Sequence, residues 1–331
     1  MSAEEQSTAR ERSAPSVGTA EPISLTPGEL LLIVVLGLIW GSAFAVIRLG
    51  LLAGASPIAF GVARFAGATA VMAPIALLRR TPLPDRRTLL WSALLGGMLL
   101  IGTYAALLYV GEEVISAGLA SVLVGSSPIW STLFGLGLLP MDRMGRRGSF
   151  GLLLGFAGLA VLFLPDLLRG APGATWAALA VLSAAILAAL GATLLRRIVQ
   201  TPPNAWSLTS EFAGATAFLG VLSLLLPGQA RLPANANVLL SLLFLIALPS
   251  IAGYTIYYRL VQRVGPSRAN LVTYVNPLAG IAIGILLLGE SPSWSELAGF
   301  LLIVLGLFVV QREAARPAAP RPQVERRSNG T

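Results

Sequence analysis

The sequence predicts an all-α integral membrane fold of ten transmembrane helices, arranged as two inverted five-helix repeats. Three observations carry that expectation. Hydrophobic residues make up 55% of the 331-residue chain and charged residues only 11%, about half the charged share of an ordinary soluble domain. Apolar runs approaching the ~20 residues needed to cross a ~30 Å hydrocarbon core recur along the chain. Words from the first half return in the second at an offset of 147 to 149 residues.

The runs fall at 30–50, 57–78, 88–109, 115–139, 148–165, 174–195, 205–226, 238–258, 267–288 and 295–311. The fifth and the last are the shortest. The breaks between runs carry Pro, Gly and charge, as at Arg79-Arg80-Thr81-Pro82, Pro140 to Gly148, Pro202-Pro203 and Pro227-Gly228. Residues 1–27 are polar, with no apolar run that would make a secretory signal. Residues 312–331 are rich in Arg, Pro and Ala, a composition that favours disorder. The expected division is a cytoplasmic tail at 1–27, a first repeat at 28–165, a second at 166–311 and a second cytoplasmic tail at 312–331.

All 23 basic residues are Arg, and the chain has no Cys and no His. Disulfides, thiolate or imidazole metal sites and His-based acid–base catalysis are thereby excluded. No catalytic residue, metal or cofactor is expected, and no nucleotide-binding fingerprint is present. A net charge of +8 could suggest a nucleic-acid partner, but the positions of the arginines argue against one. All but four lie in the tails or in the loops after runs 2, 4, 6 and 8. The alternate loops hold only Arg169 and Arg231. Cytoplasmic loops are enriched in Arg, so the alternation predicts both termini in the cytoplasm of a multi-pass inner (plasma) membrane protein. The lipid bilayer and a small-molecule substrate are the expected partners; the sequence says nothing of an oligomer.

The repeat is read from three matches in register. Arg64-Phe65-Ala66-Gly67-Ala68-Thr69-Ala70 returns as Glu211-Phe212-Ala213-Gly214-Ala215-Thr216-Ala217. Ser127-Pro128 corresponds to Asn276-Pro277, with Tyr109 against Tyr258. Gly151 and Gly158 correspond to Gly299 and Gly306. Five helices per half is an odd number, so the second half enters the membrane upside down. Inverted repeats of this kind build secondary transporters around a midplane site.

Candidate site residues follow from polarity at depth. Arg64 stands about seven residues into its run, roughly 10 Å deep by helical rise. It could contact a substrate carboxylate or gate the site, or tie down helix-end carbonyls. Glu211, its repeat mate, is expected to be the only carboxylate well inside a span. It is a candidate proton carrier, unless it is solvated or paired with Arg196 or Arg197. Glu112, Glu113 and Glu290 sit at helix ends and are expected to be wet. Tyr104, Tyr254 and Tyr274 are deep enough to line a cavity, whereas Tyr109, Tyr257 and Tyr258 read as an interfacial belt. Trp91, Trp176, Trp206 and Trp294 also read as belt residues. Trp40 is mid-helix, lining the cavity or packing between helices. Asn270, Thr273 and Asn276 form a polar stripe on the ninth helix, suited to ligand binding or to interhelical contact.

The chain also resembles the EamA family of the drug/metabolite transporter superfamily. The resemblance rests on Trp40-Gly41-Ser42-Ala43-Phe44, on Ser56-Pro57 through Arg64-Phe65, and on Ala117-Gly118-Leu119-Ala120-Ser121 with Pro128. Its most specific stretch is Leu288-Gly289-Glu290, Pro292, Glu296-Leu297, Gly299 and Gly306. It covers residues 30–311. It implies ten helices with both termini inside, a substrate cavity between the halves, and transport, often export, of amino acids, other metabolites or toxic compounds. The first half departs from the pattern, with Pro140-Met141-Asp142 in place of a Gly-Glu word. The superfamily's small multidrug exporters use a Glu deep in helix 1, where this chain offers only Glu29 at the edge. The expected function is secondary transport of small metabolites by alternating access, with toxic-compound efflux as the alternative. A membrane-embedded enzyme or a channel is the rival from another class.

Overall fold

The computed structural model describes residues 25–138, 145–169, 172–199, 203–264 and 266–314. Most of both expected tails and the Pro140-Met141-Asp142 word lie outside the described residues. Those residues contain no strand. Eight helices are long and apolar enough to cross a membrane, and two shorter apolar helices follow them. In chain order they are α1 (Pro27–Leu52), α2 (Pro57–Leu78), α3 (Arg86–Glu112), α4 (Ala117–Leu138) and α5 (Arg146–Arg169). Then come α6 (Pro172–Ile198), α7 (Ala205–Leu225), α8 (Ala236–Val264), α9 (Val272–Leu288) and α10 (Trp294–Ala314). Each lies on one of the apolar runs.

Local chemistry sets the ends. Thr26 and Glu29 form a reciprocal capping box at the start of α1, with Pro27 supplying a first-turn residue that needs no donor. Glu29 is therefore a cap group. The side chains of Asp85, Asn204 and Asn235 cap α3, α7 and α8. Before α9 the chain does not run on as one helix from 267. A single turn, Pro266–Ala269, precedes a bend at Asn270, whose carbonyl accepts from the Thr273 amide (3.0 Å) and hydroxyl (2.7 Å). Asn270 thus sits ahead of the helix.

Two helices carry wide-turn segments at corresponding places. Ser92–Thr103 of α3 and Ile246–Gly253 of α8 are π-helical, each followed by a tyrosine, Tyr104 and Tyr254. Such bulges inside α-helices recur at functional sites.

The repeat mates meet each other in space. α2 packs on α7 and α5 on α10. The rings of Phe65 and Phe212 stack with centroids 6.0 Å apart. A Cβ at Gly158 would stand 2.7 Å from the Gly299 carbonyl oxygen, and one at Gly151 would stand 2.6 Å from that of Gly306. Small residues let helix backbones approach this closely, and in a membrane that packing replaces hydrophobic driving force. The ends of α2 and α7 are tied by mated hydrogen bonds as well. Ser56 Oγ donates to Arg231 O (2.9 Å), and Asn204 Nδ2 donates to Pro82 O (3.0 Å). Each contact joins residue i to the mate of j, and j to the mate of i, the reciprocal pattern of a two-fold interface.

A main apolar core fills the space between the halves, from Phe44 and Phe60 through Tyr109 to Phe212 and Leu219. A smaller cluster of Ile33, Leu36, Leu260, Ala269 and Val272 joins α1, α8 and α9 near their other end. Trp40 packs against that cluster while its ring touches Tyr254 of the main core.

Candidate functional site

A buried arginine and a buried glutamate lie where α2, α3, α7 and α8 meet. Arg64 on α2 is 7% exposed. Its Nε donates to Ser250 Oγ (3.0 Å) in the wide turn of α8, and its Nη1 donates to Tyr109 OH (2.7 Å) on α3. Its guanidinium also lies 5.0 Å from the centre of the Phe65 ring. A buried arginine needs acceptors; here they are two hydroxyls, neither a helix-end carbonyl nor a carboxylate.

Glu211 on α7 is 1% exposed, and Tyr258 OH on α8 donates to its Oε2 (2.7 Å). It forms no ion pair among the described residues, and Arg196 and Arg197 are both exposed. The reading of Glu211 as solvated or Arg-paired therefore fails. Gly96 makes room for it, since a Cβ there would stand 2.6 Å from Glu211 Cγ.

These two bonds are repeat mates of one another. Arg64 corresponds to Glu211 and Tyr109 to Tyr258, so each half holds a buried ionisable side chain on a tyrosine of the following helix. Tyr109 is fully buried and Tyr258 is engaged, which corrects their assignment to an interfacial belt. Tyr257 leaves the belt too, because its hydroxyl donates to Asn270 Oδ1 (2.9 Å). Trp206 is likewise a tie, its Nε1 donating to Thr81 O (3.1 Å). Trp176 and Trp294 are exposed as a belt requires.

An aromatic wall links the two polar centres. Tyr254 sits edge-on to Trp40 (5.5 Å between centroids) and to Phe212 (5.6 Å), and 6.4 Å from Tyr258. The Trp40 indole donates to Pro249 O (3.0 Å) within the wide turn of α8. Gly253 permits this, because a Cβ there would stand 2.5 Å from the indole nitrogen. The hydroxyls of Tyr104 and Tyr254 have no protein partner among the described residues, and neither does Arg64 Nη2. Tyr104 lies within electrostatic reach of both Tyr254 and Arg64.

The remaining expected residues divide. Tyr274 OH is buried without a partner. Thr273 is turned back onto Asn270 O, and Asn270 is held by Tyr257. The Asn276 amide, oriented to satisfy its neighbours, donates to Val272 O (3.1 Å) and across to Gly37 O (3.2 Å), which ties α9 to α1.

The Leu288-Gly289-Glu290 word has a physical explanation. Gly289 ends α9 in the left-handed region (φ 66°), and the Glu290 amide returns to Gly284 O (3.2 Å). That turn aims the Glu290 carboxylate at the start of α4, where it accepts from the amides of Ala117 (2.7 Å) and Gly118 (3.0 Å). Arg48 of α1 stands 3.6 Å away. Arg48 Nη1 also donates to Glu112 O (2.6 Å) and to Ile115 O. Glu112 itself is fully buried, with both carboxylate oxygens lacking a partner among the described residues. It is not wet, and Glu211 is not the only deep carboxylate. The α3 helix runs three residues past the expected 109, and α1, α4 and the Glu290 turn close over it.

Comparison with known proteins gives a consistent set. A model described as the EamA-like transporter family matches residues 27–164 and again 175–312. The chain is similar to the uncharacterized inner membrane transporter YedA of Escherichia coli K12, at 28% identity over 277 residues, 82% of this chain and 87% of that protein. It is also similar to a Streptantibioticus cattleyicolor protein named "Probable terminal-alkyne amino-acid exporter", at 28% identity over 284 residues, 82% and 90% of the two chains. One solved structure shares the fold with a TM-score of 0.61 at 21% identity, over 87% of this chain and 99% of that one.

Proposed function

The chain belongs to the EamA-like transporter family, and from that premise we propose that it is an alternating-access exporter of amino acids or related small metabolites. The family is one of membrane transporters, not enzymes. Our reading takes all ten apolar helices as spans, both termini as cytoplasmic, and the halves as inverted copies with the substrate held between them. The reciprocal mate contacts of α2 with α7 and α5 with α10 support the inversion.

The observation that carries the site is the set of donors left over at the junction of the halves. Among the described residues, Arg64 Nη2 and the hydroxyls of Tyr104 and Tyr254 have no protein partner, beside an aromatic wall of Trp40, Tyr254 and Phe212. A cation and two hydroxyls suit a carboxylate; an aromatic wall suits an apolar side chain. An amino acid with an apolar side chain presents both. The name of the S. cattleyicolor relative points to the same class. Glu211, opposite Arg64 in the repeat and held by Tyr258, serves in this reading as the proton-coupling carboxylate. The same aromatic wall is what favours the second reading, efflux of toxic aromatic compounds.

Counterflow tests the proposal. Proteoliposomes preloaded with one apolar amino acid and diluted into its labelled form should accumulate label. Arg64→Gln should abolish the accumulation, and Tyr254→Phe should weaken it. Accumulation unchanged in both variants would remove this site from transport. Accumulation of labelled aromatic cations and of no amino acid would favour the second reading.

A further inference from the structure

Glu112 is the one carboxylate whose two oxygens are buried without any donor among the described residues, and the function proposed above makes no use of it. Its surroundings explain why it has none. Three donors converge where α3 ends: Arg48 and the backbone amides of Ala117 and Gly118. Glu290 takes both amides and faces Arg48 Nε, while Arg48 Nη1 is spent on the carbonyls of Glu112 and Ile115. Two carboxylates thus share a space with donors for one.

The other titratable and charged groups nearby are Arg64 on α2, Tyr104, Tyr109 and the adjacent Glu113 at the end of α3, and Glu296, which lines the same recess as Glu290. The α4 and α6 segments packed there, Ala117–Val124 and the turns around Ala177 and Val181, carry none. An ionised carboxylate with no exposure and no hydrogen bond costs several kcal/mol. A protonated one keeps only the smaller cost of an unpaired neutral polar group.

We propose that Glu112 is a proton-binding site that controls a latch at this end of the bundle. The latch is Glu290. It fastens the link after α9 to the first turn of α4 and to Arg48, and so holds second-half residues against first-half ones. While Glu112 carries a proton, Arg48 remains beside Glu290 and the latch stays shut. When the proton leaves to water, the Glu112 anion competes for the Arg48 guanidinium, Glu290 loses its cation, and the link can separate from α4. The proposed topology places this end outside, so the proton would exchange with the exterior. That direction rests on the transport reading; the protonation and the latch do not.

Two measurements on the purified, full-length protein test this. The first is infrared spectroscopy at neutral pH. The spectrum of the parent minus that of Glu112→Gln should show the carbonyl band of one protonated carboxylic acid, and Glu112→Asp should retain it. No lost band would overturn the proposal. The second uses the Cys-free background to place a thiol behind the latch, as Ser121→Cys; Ser121 has no exposure. Its labelling by a charged thiol reagent is read at rising pH relative to the same thiol in Glu112→Gln, which cancels the thiol's own ionisation. The ratio should rise with pH, and Glu290→Gln should label fast at every pH. A flat ratio, or slow labelling in Glu290→Gln, would sink the latch. Counterflow failing while both signals hold would defeat only the transport reading.

Discussion

Removing the Tyr258 hydroxyl isolates the bond that holds the second half's buried carboxyl group, Glu211. Tyr258→Phe keeps the ring, and with it the contacts to Tyr254 and Tyr257 at 6.4 and 6.1 Å. It deletes the only hydrogen bond that Glu211 receives among the described residues, one of 2.7 Å to a side chain 1% exposed. A hydrogen bond contributes about 0.5–1.5 kcal/mol net to a neutral group and about 1.5–3 kcal/mol to a charged one, so even the neutral carboxyl should lose roughly fivefold in an equilibrium constant. The assay is reversible unfolding in detergent for the parent, Tyr258→Phe, Glu211→Gln and the double variant. The coupling energy from that cycle should be about 1 kcal/mol or more. Tyr254→Phe is the control: its hydroxyl has no partner among the described residues, so the loss should stay within about 0.5 kcal/mol. A coupling below about 0.5 kcal/mol, or an equal loss in the control, would refute the claim that Tyr258 holds Glu211.

Other outcomes follow from single contacts. Gly306→Ala would put a Cβ 2.4 Å from the Gly151 carbonyl oxygen and should cost about 1–3 kcal/mol by overpacking; Gly137→Ala, with open space around it, should leave the unfolding midpoint unchanged. Trp40→Phe keeps an aromatic ring but loses the bond to Pro249 O (3.0 Å), so unfolding in detergent should show a loss of about 1 kcal/mol. Asp85, outside the spans, has its carboxyl held below the ordinary value by its bonds to Thr88. A depressed value means that its contribution is complete above the ordinary carboxylate range and is lost as pH falls through the folded value. Asp85→Asn should therefore flatten the acid limb of a stability–pH profile and leave its neutral region with the same slope.

The helices were legible because lipid imposes a simple length and polarity rule, and each of the ten apolar runs carries a helix. The repeat is legible too: Phe65 and Phe212 are mates that touch, and the mated glycine pairs Gly151/Gly299 and Gly158/Gly306 touch crosswise, Gly158 on Gly299 and Gly151 on Gly306. What resisted reading was side-chain direction. Tyr109 and Tyr258 lie near the ends of apolar runs, where depth alone suggests an interfacial belt. Their pairing at the offset that relates Arg64 to Glu211 was the signal that they share a task. Glu112 looked wet because the expected third run ended at 109, and nothing in its neighbourhood announces that Glu290, almost 180 residues later, would close over it. Asn270 was misplaced on its helix because the 3.6-residue pattern continues through a bend that only its backbone bonds reveal.

The central claim, a site between two halves that opens alternately to either side, is tested most directly by a single thiol at Tyr254. In sealed proteoliposomes of one orientation, Tyr254→Cys is offered a charged, impermeant thiol reagent from one side, then from the other. The account predicts reaction from both sides, with reagent on either face able to consume the whole population, and protection by an apolar amino acid that undergoes counterflow. Leu302→Cys should stay inert throughout. Reaction from one face only, complete and unaffected by such an amino acid, would contradict alternating access at this site.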